Sequence, residues 1–182
     1  MISAQRPYVP LVALALVVVA LGVVVASLLI HGAKPQSLPA AGARPTLVSQ
    51  AQLERLAAVT DHPVYWAGPK KGYSYELTRT SGGRIYIRYL PQGVGAGDPR
   101  ADFLVVGTYA QPGSFAYLTH ASSNADAVSL DLTGGGIAVY NPARPTSVYF
   151  TFPRTRYQVE VYDPSGKTAR SLVLAGTIAP IR

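Results

Sequence analysis

Side chains able to do acid–base or nucleophilic chemistry are few in this chain and lie apart. Hydrolysis by a serine or threonine needs a histidine held in place by a carboxylate, and the 182 residues include three histidines, His31, His62 and His120. His62 stands between Asp61 and Pro63, the composition of an ordinary helix-to-strand junction, and no Gly-x-Ser-x-Gly elbow accompanies it. His120 has no carboxylate beside it in sequence. A hydrolase would have to use His62 or His120 as its base, with no nucleophile singled out for either. Metal ligands are as sparse: Asp98 with Asp102, and Asp126 with Asp131, match no calcium-loop spacing. The chain has no cysteine, which rules out disulfides, thiol catalysis and cysteine-ligated metal. Gly93-Val94-Gly95-Ala96-Gly97 leads into Asp98-Pro99, and Gly134-Gly135-Gly136 into a strand. Neither offers the lysine or helix start that a phosphate cradle needs; the first reads as a mobile connection and the second as a tight turn. No catalytic residue, metal site or cofactor is predicted.

One stretch does concentrate binding chemistry. Between residues 65 and 100, Lys70, Lys71, Arg79, Arg84, Arg88 and Arg100 are interleaved with Tyr65, Trp66, Tyr73, Tyr75, Tyr86 and Tyr89. Aromatic faces stack on rings, and guanidinium groups clamp carboxylate or phosphate. Trp66, Arg84, Tyr86 and Arg88 are the candidate contact residues. A plainer reading competes: Tyr and Trp are favoured in strands, and an arginine on a polar strand face can simply pair, as Arg88 would with Glu76.

Strand chemistry dominates the scaffold that must position these residues. The strongest pair, 73–80 and 84–90, is joined by Ser81-Gly82-Gly83. With Thr80 opposite Arg84, it places Thr78 opposite Tyr86 and Glu76 opposite Arg88 on one face, with Tyr75, Leu77, Ile87 and Tyr89 on the other; a bulge at the three-residue loop would shift this register by one. Further strands are predicted at 64–67, 103–110, 128–132, 136–140, 147–152, 157–162 and 169–178, the last reached through an Asp163-Pro164-Ser165-Gly166 hairpin turn. A helix should precede them: Ser49 and Gln52 can form a capping box, Val48 and Leu53 a hydrophobic staple, and His62-Pro63 ends the run. A second short helix is predicted from Ser114 towards Ala121. The expected fold class is an N-terminal transmembrane helix plus an α+β, mainly-β domain, either an antiparallel sheet or a two-sheet sandwich, with one or two short helices.

The transmembrane element is residues 11–30, which contain no charge, amide or aromatic; fourteen of these twenty are Leu, Val or Ile. As a helix the run spans about 30 Å, the thickness of bilayer hydrocarbon, and its aliphatic side chains favour insertion by about 4–8 kcal/mol. A cleavable signal has an apolar core of only about 7–15 residues, so an uncleaved anchor is expected, with cleavage near Gly32-Ala33 or Ala40-Ala41 as the alternative. Flanking charges nearly balance, Arg6 and the terminal amine against Lys34 and Arg44. Sidedness therefore rests on size, because long domains translocate largely regardless of charge. The expected layout is a cytoplasmic tail (1–10), a transmembrane helix (11–30), a Pro/Ala/Gly linker (31–47) and an extracytoplasmic mainly-β domain (48–182). Gly22 and Ala26 form a small-xxx-small pair that offers a weak homodimer contact within the bilayer. From Arg44 onward fourteen basic residues stand against nine acidic ones, which suits weak attraction to anionic surfaces and no more.

Pro63-Val64-Tyr65-Trp66-Ala67-Gly68-Pro69, Tyr75-Glu76-Leu77-Thr78-Arg79-Thr80, Arg84-Ile85-Tyr86-Ile87-Arg88-Tyr89-Leu90-Pro91 and Gln158-Val159-Glu160-Val161-Tyr162-Asp163-Pro164, with the bias towards Ala, Val, Gly and Arg, resemble uncharacterised single-pass, membrane-anchored envelope proteins of actinobacteria. The resemblance covers the anchor and most of the domain and implies no catalytic residues. The expected function is a non-enzymatic binding or interaction module for an envelope protein or an anionic cell-wall polymer, not nucleic acid. The alternatives are a cell-wall hydrolase with a His62 or His120 base and a structural subunit of a membrane complex.

Overall fold

Period-two alternation of apolar and polar residues resolves into one large antiparallel sheet in a computed structural model that describes residues 37–42 and 44–182. The expected tail, the membrane span with its Gly22 and Ala26 pair, and residues 31–36 and 43 of the linker lie outside the described residues. Among the described residues no helix is long and apolar enough to cross a membrane. The elements are β1 (Thr46–Val48), α1 (Gln50–Val59), β2 (Tyr65–Trp66), β3 (Tyr73–Arg79), β4 (Ile85–Pro91), β5 (Val105–Ala110), α2 (Ser114–Ala121), β6 (Val128–Leu132), β7 (Gly136–Asn141), β8 (Arg144–Thr151), β9 (Tyr157–Tyr162), α3 (Gly166–Leu174) and β10 (Ala179–Pro180). Eight strands form the sheet in the order β1-β3-β4-β5-β9-β8-β7-β6, while β2 and β10 pair separately as a small ribbon. The domain is thus mainly β, built on a single large sheet rather than a two-sheet sandwich, with three short helices rather than one or two.

The β3–β4 hairpin has the expected register, Thr78 opposite Tyr86 and Glu76 opposite Arg88. Helix α1 starts with the expected capping box: Gln52 N donates to the Ser49 hydroxyl and Ser49 N to Gln52 Oε1. The segment 169–178, predicted as a strand, is a correction: it lies mostly in helix α3. The Ser165 hydroxyl accepts from Thr168 N, and Ala169 and Val173, four residues apart, bury one side. The helix ends where Gly176 adopts φ +66°, Gly176 N donating to Val173 O and Thr177 N to Leu172 O. Helix spacing and two good caps outweigh strand propensity there. A second difference concerns the linker, whose last residues belong to the fold. Leu38 packs on the core, Arg79 donates to the Pro39 carbonyl, and β1 pairs with the edge of β3.

One face of the sheet carries the core. Cross-strand lines of Leu77, Ile87, Val106, Val161 and Val148, and of Thr108, Val159, Phe150 and Ala138, are all buried. Helix α1 covers this face with Leu53 and Leu56, both fully buried, each contributing about 1.5–3 kcal/mol from burial. Helix α3 adds Ala169 and Val173, and β2 lies across β5 with Tyr65 N donating to the Thr108 hydroxyl. Gly166 is required at the start of α3, since a Cβ there would meet the Pro145 carbonyl oxygen at 2.2 Å.

Candidate functional site

The same register sends a second set of side chains away from the core, and on this second face the chemistry is polar and aromatic. Thr78, Tyr86, Gly107, Glu160 and Tyr149 lie in one line across β3, β4, β5, β9 and β8. Gly107 supplies no side chain, and the Tyr109 ring fills the gap: a Cβ on Gly107 would meet that ring at 3.0 Å. Tyr109 thereby reaches across and donates its hydroxyl to Glu160 Oε2. Glu160 Oε1 accepts from the Ser147 hydroxyl at 2.9 Å and from the Tyr149 hydroxyl at 3.0 Å. One carboxylate thus holds three hydroxyl donors and, among the described residues, takes no salt bridge. Tyr86 packs edge-on to Tyr109 with ring centroids 5.6 Å apart, and the exposed Arg84 guanidinium lies 5.3 Å from the Tyr109 ring centre.

The electrostatics keep both phenols protonated. Burial first, then the hydrogen bond to Glu160, pushes the Tyr109 hydroxyl far above its ordinary value. Burial, followed by the charge of Glu160, pushes Tyr149 up to about 12. Both remain hydrogen-bond donors at any physiological pH.

Next to this cage, Arg88 is committed to structure. It pairs with the buried Glu76 at 3.2 Å, donates to the Arg100 carbonyl and lies 4.7 Å from the centre of the Phe103 ring. Gly97 N donates to the other Glu76 oxygen, and Tyr162 donates to Ala101 O at 2.7 Å. The glycine-rich connection, read as mobile, is instead tied down across the second face by these bonds. Trp66 is a correction to the expected patch. It is buried on the core side, edge-on to Tyr75 at 5.8 Å, because β2 turns both its side chains inward. The structure brings Arg84 and Tyr86 together around Tyr109, places Arg88 beside them in an ion pair, and separates Trp66 from all three.

Helix α2 closes the other end of this face. Its first residue, Ser114, is fully buried and shares hydrogen bonds with the Thr151 hydroxyl at 2.9 Å and the Tyr157 carbonyl at 2.8 Å. Leu118 then packs against the sheet, leaving an open cleft of about 390 Å³ lined by Tyr117, Asp126, Asn141, Tyr149 and Gln158 among others. The two histidines lie elsewhere. His62 bonds only to the neighbouring Pro63 carbonyl, at 3.1 Å, in a depression shared with Asp61 and Ser81, to neither of which it is hydrogen-bonded. His120 is exposed on the last turn of α2. Among the described residues no group of His, Asp or Glu could hold a metal ion.

Sequence reasoning missed Ser147, Tyr149, Tyr109 and Glu160. Their signal is a polar alternation, Ser147-Tyr149 and Gln158-Glu160, set against apolar neighbours that face the core, with a glycine inside β5 marking a close approach. Compared with known protein families, curated proteins and solved structures, the chain matches none of them.

Proposed function

We propose that this chain is a non-enzymatic binding module, anchored in a membrane through residues 11–30, whose second sheet face engages a partner of the cell envelope. The observation that supports this reading is the Glu160 cage. A carboxylate held by three uncharged hydroxyls fixes two tyrosine rings and presents them, with Tyr86 and Arg84, at the surface. Rings immobilised before binding lose little conformational entropy on contact. Pairing with Glu76 takes Arg88 out of the anion-binding set, so aromatic and hydrogen-bonding contact carries more of the recognition than charge.

The full chain is compared with its Arg84→Ala/Tyr86→Ala variant for retention on isolated cell envelopes, with circular dichroism confirming the fold. Loss of one π contact and one cation–π contact, about 1–2 kcal/mol together, should weaken retention about tenfold. Equal retention by the folded variant overturns the surface. Sidedness is tested separately: a cysteine at Ser165 should react with an impermeant thiol reagent in intact cells, and reaction only after lysis contradicts an outward domain.

A further inference from the structure

The cleft between α2 and the sheet has a composition of its own. Its volume, about 390 Å³, falls in the range of roughly 300–1,000 Å³ typical of small-ligand sites. Tyr149 forms one wall with its ring orientation set by the bond from its hydroxyl to Glu160. Tyr117, exposed on α2, stands at the mouth, and Leu118 lies beneath it. Asp126 is oriented by a chain of bonds: Asn141 Nδ2 donates to its Oδ2 at 2.9 Å, and Ala143 N donates to Asn141 Oδ1 at 2.8 Å. The second Asp126 oxygen accepts nothing from the described residues.

Gln158 also lines the cleft, is only 6% exposed, and its Oε1 has no hydrogen-bond partner within the fold. A buried amide oxygen without a donor costs about 1–3 kcal/mol, and the side chain that carries it lines the cleft. The cleft therefore offers aromatic faces for C–H groups together with planar amide and carboxylate groups for hydroxyls. Among the described residues that line it, the one carboxylate is Asp126 and none is Lys or Arg. The lining itself therefore offers a phosphate or carboxylate no cation to pair with.

We propose that this cleft binds a neutral saccharide unit of an envelope polysaccharide. The ring C–H face lies against Tyr149 and Tyr117, and adjacent hydroxyls donate to Asp126 and exchange hydrogen bonds with the Gln158 amide. Sugar hydroxyls both donate and accept, so they match either orientation of that amide. The inference rests on the binding-module reading and supplies its ligand class, a neutral polysaccharide in place of the expected anionic polymer for this part of the face.

The full chain, held in a detergent without a sugar headgroup, is titrated with neutral tetrasaccharides built from hexose, pentose and N-acetylhexosamine units, and with polygalacturonate as the anionic probe. At least one neutral tetrasaccharide should bind saturably and more tightly than polygalacturonate. Gln158→Leu should weaken that binding about tenfold without lowering the melting temperature, since it removes an unsatisfied amide for a side chain of similar shape. Tyr117→Ala, on an exposed side chain, should weaken it by about fivefold through lost stacking. Failure of every neutral probe, tighter binding of polygalacturonate, or binding indifferent to both variants overturns the saccharide cleft. If Arg84→Ala/Tyr86→Ala still weakens envelope retention about tenfold in that case, the binding-module reading stands alone; if retention is unchanged, both fall.

Discussion

The two faces of the one sheet are built from the same strands and obey opposite rules. On the core side, Ile87, Val106, Val161 and Val148 need only fill space, and α1, α3 and the β2–β10 ribbon exclude water from them. On the second side, key side chains are held by directional bonds: Arg88 to Glu76, and Tyr109, Tyr149 and Ser147 to Glu160. Residues one apart in sequence thus serve different ends, Val159 and Val161 stability and Glu160 geometry. Groups positioned by hydrogen bonds yet left partly open to solvent are what supports the proposed contact role of this face.

The contrast predicts unequal costs of mutation. Leu56→Ala, on the core side, should lower unfolding free energy by about 2–5 kcal/mol, read by denaturant titration, because a fully buried side chain leaves a cavity. Arg88→Met should cost about 3 kcal/mol, since it strands the carboxylate of Glu76, which is only 3% exposed. Glu160→Gln should cost less, about 1–2 kcal/mol, because the amide oxygen keeps part of the hydroxyl network. Its distinguishing effect is on alkaline titration. In the folded chain burial, then the charge of Glu160, pushes Tyr149 up to about 12 from its ordinary 10.0. Between those values the folded state holds the extra proton, so stability is full below pH 10 and falls as pH rises towards 12. Tyrosinate absorbance should show Tyr65, Tyr89, Tyr109 and Tyr149 ionising late, all four being raised. Glu160→Gln should bring Tyr109 and Tyr149 down and leave Tyr65 and Tyr89 where they are. The smallest effect on stability belongs to Gly107→Ala, about 1 kcal/mol, since only the Tyr109 ring must give way. It should release the Tyr109 hydroxyl from Glu160, visible as a lowered Tyr109 pKa.

Much of this was legible in sequence where local physics decides the outcome. The capping box at Ser49 and Gln52 and the bounds of α2 and β9 follow from local pattern, and the β3–β4 register is the unshifted one of the two that the three-residue loop allowed. The 169–178 segment was misread because Leu172 and Leu174 mimic alternation, while the determining contact, Gly166 against the Pro145 carbonyl, comes from a strand twenty residues away. Trp66 was misassigned for a similar reason: a two-residue strand has too little pattern to show which way it faces. The Glu160 cage joins β5, β8 and β9, so its members come into contact only once the sheet order is known. Half of the candidate patch, Arg84 and Tyr86, lies on the second face free to meet a partner; Arg88 lies there in its ion pair, and Trp66 is in the core.

The most direct test of the second face uses two matched positions, Tyr117 on α2 and Leu174 on α3, which are 58% and 54% exposed on opposite sides of the sheet. A photo-crosslinking phenylalanine is placed at each in turn in the full chain, in cells, and adducts to envelope material are quantified. Adducts from Tyr117 well above those from Leu174 are the predicted result. Equal yields, or adducts from Leu174 alone, would contradict it.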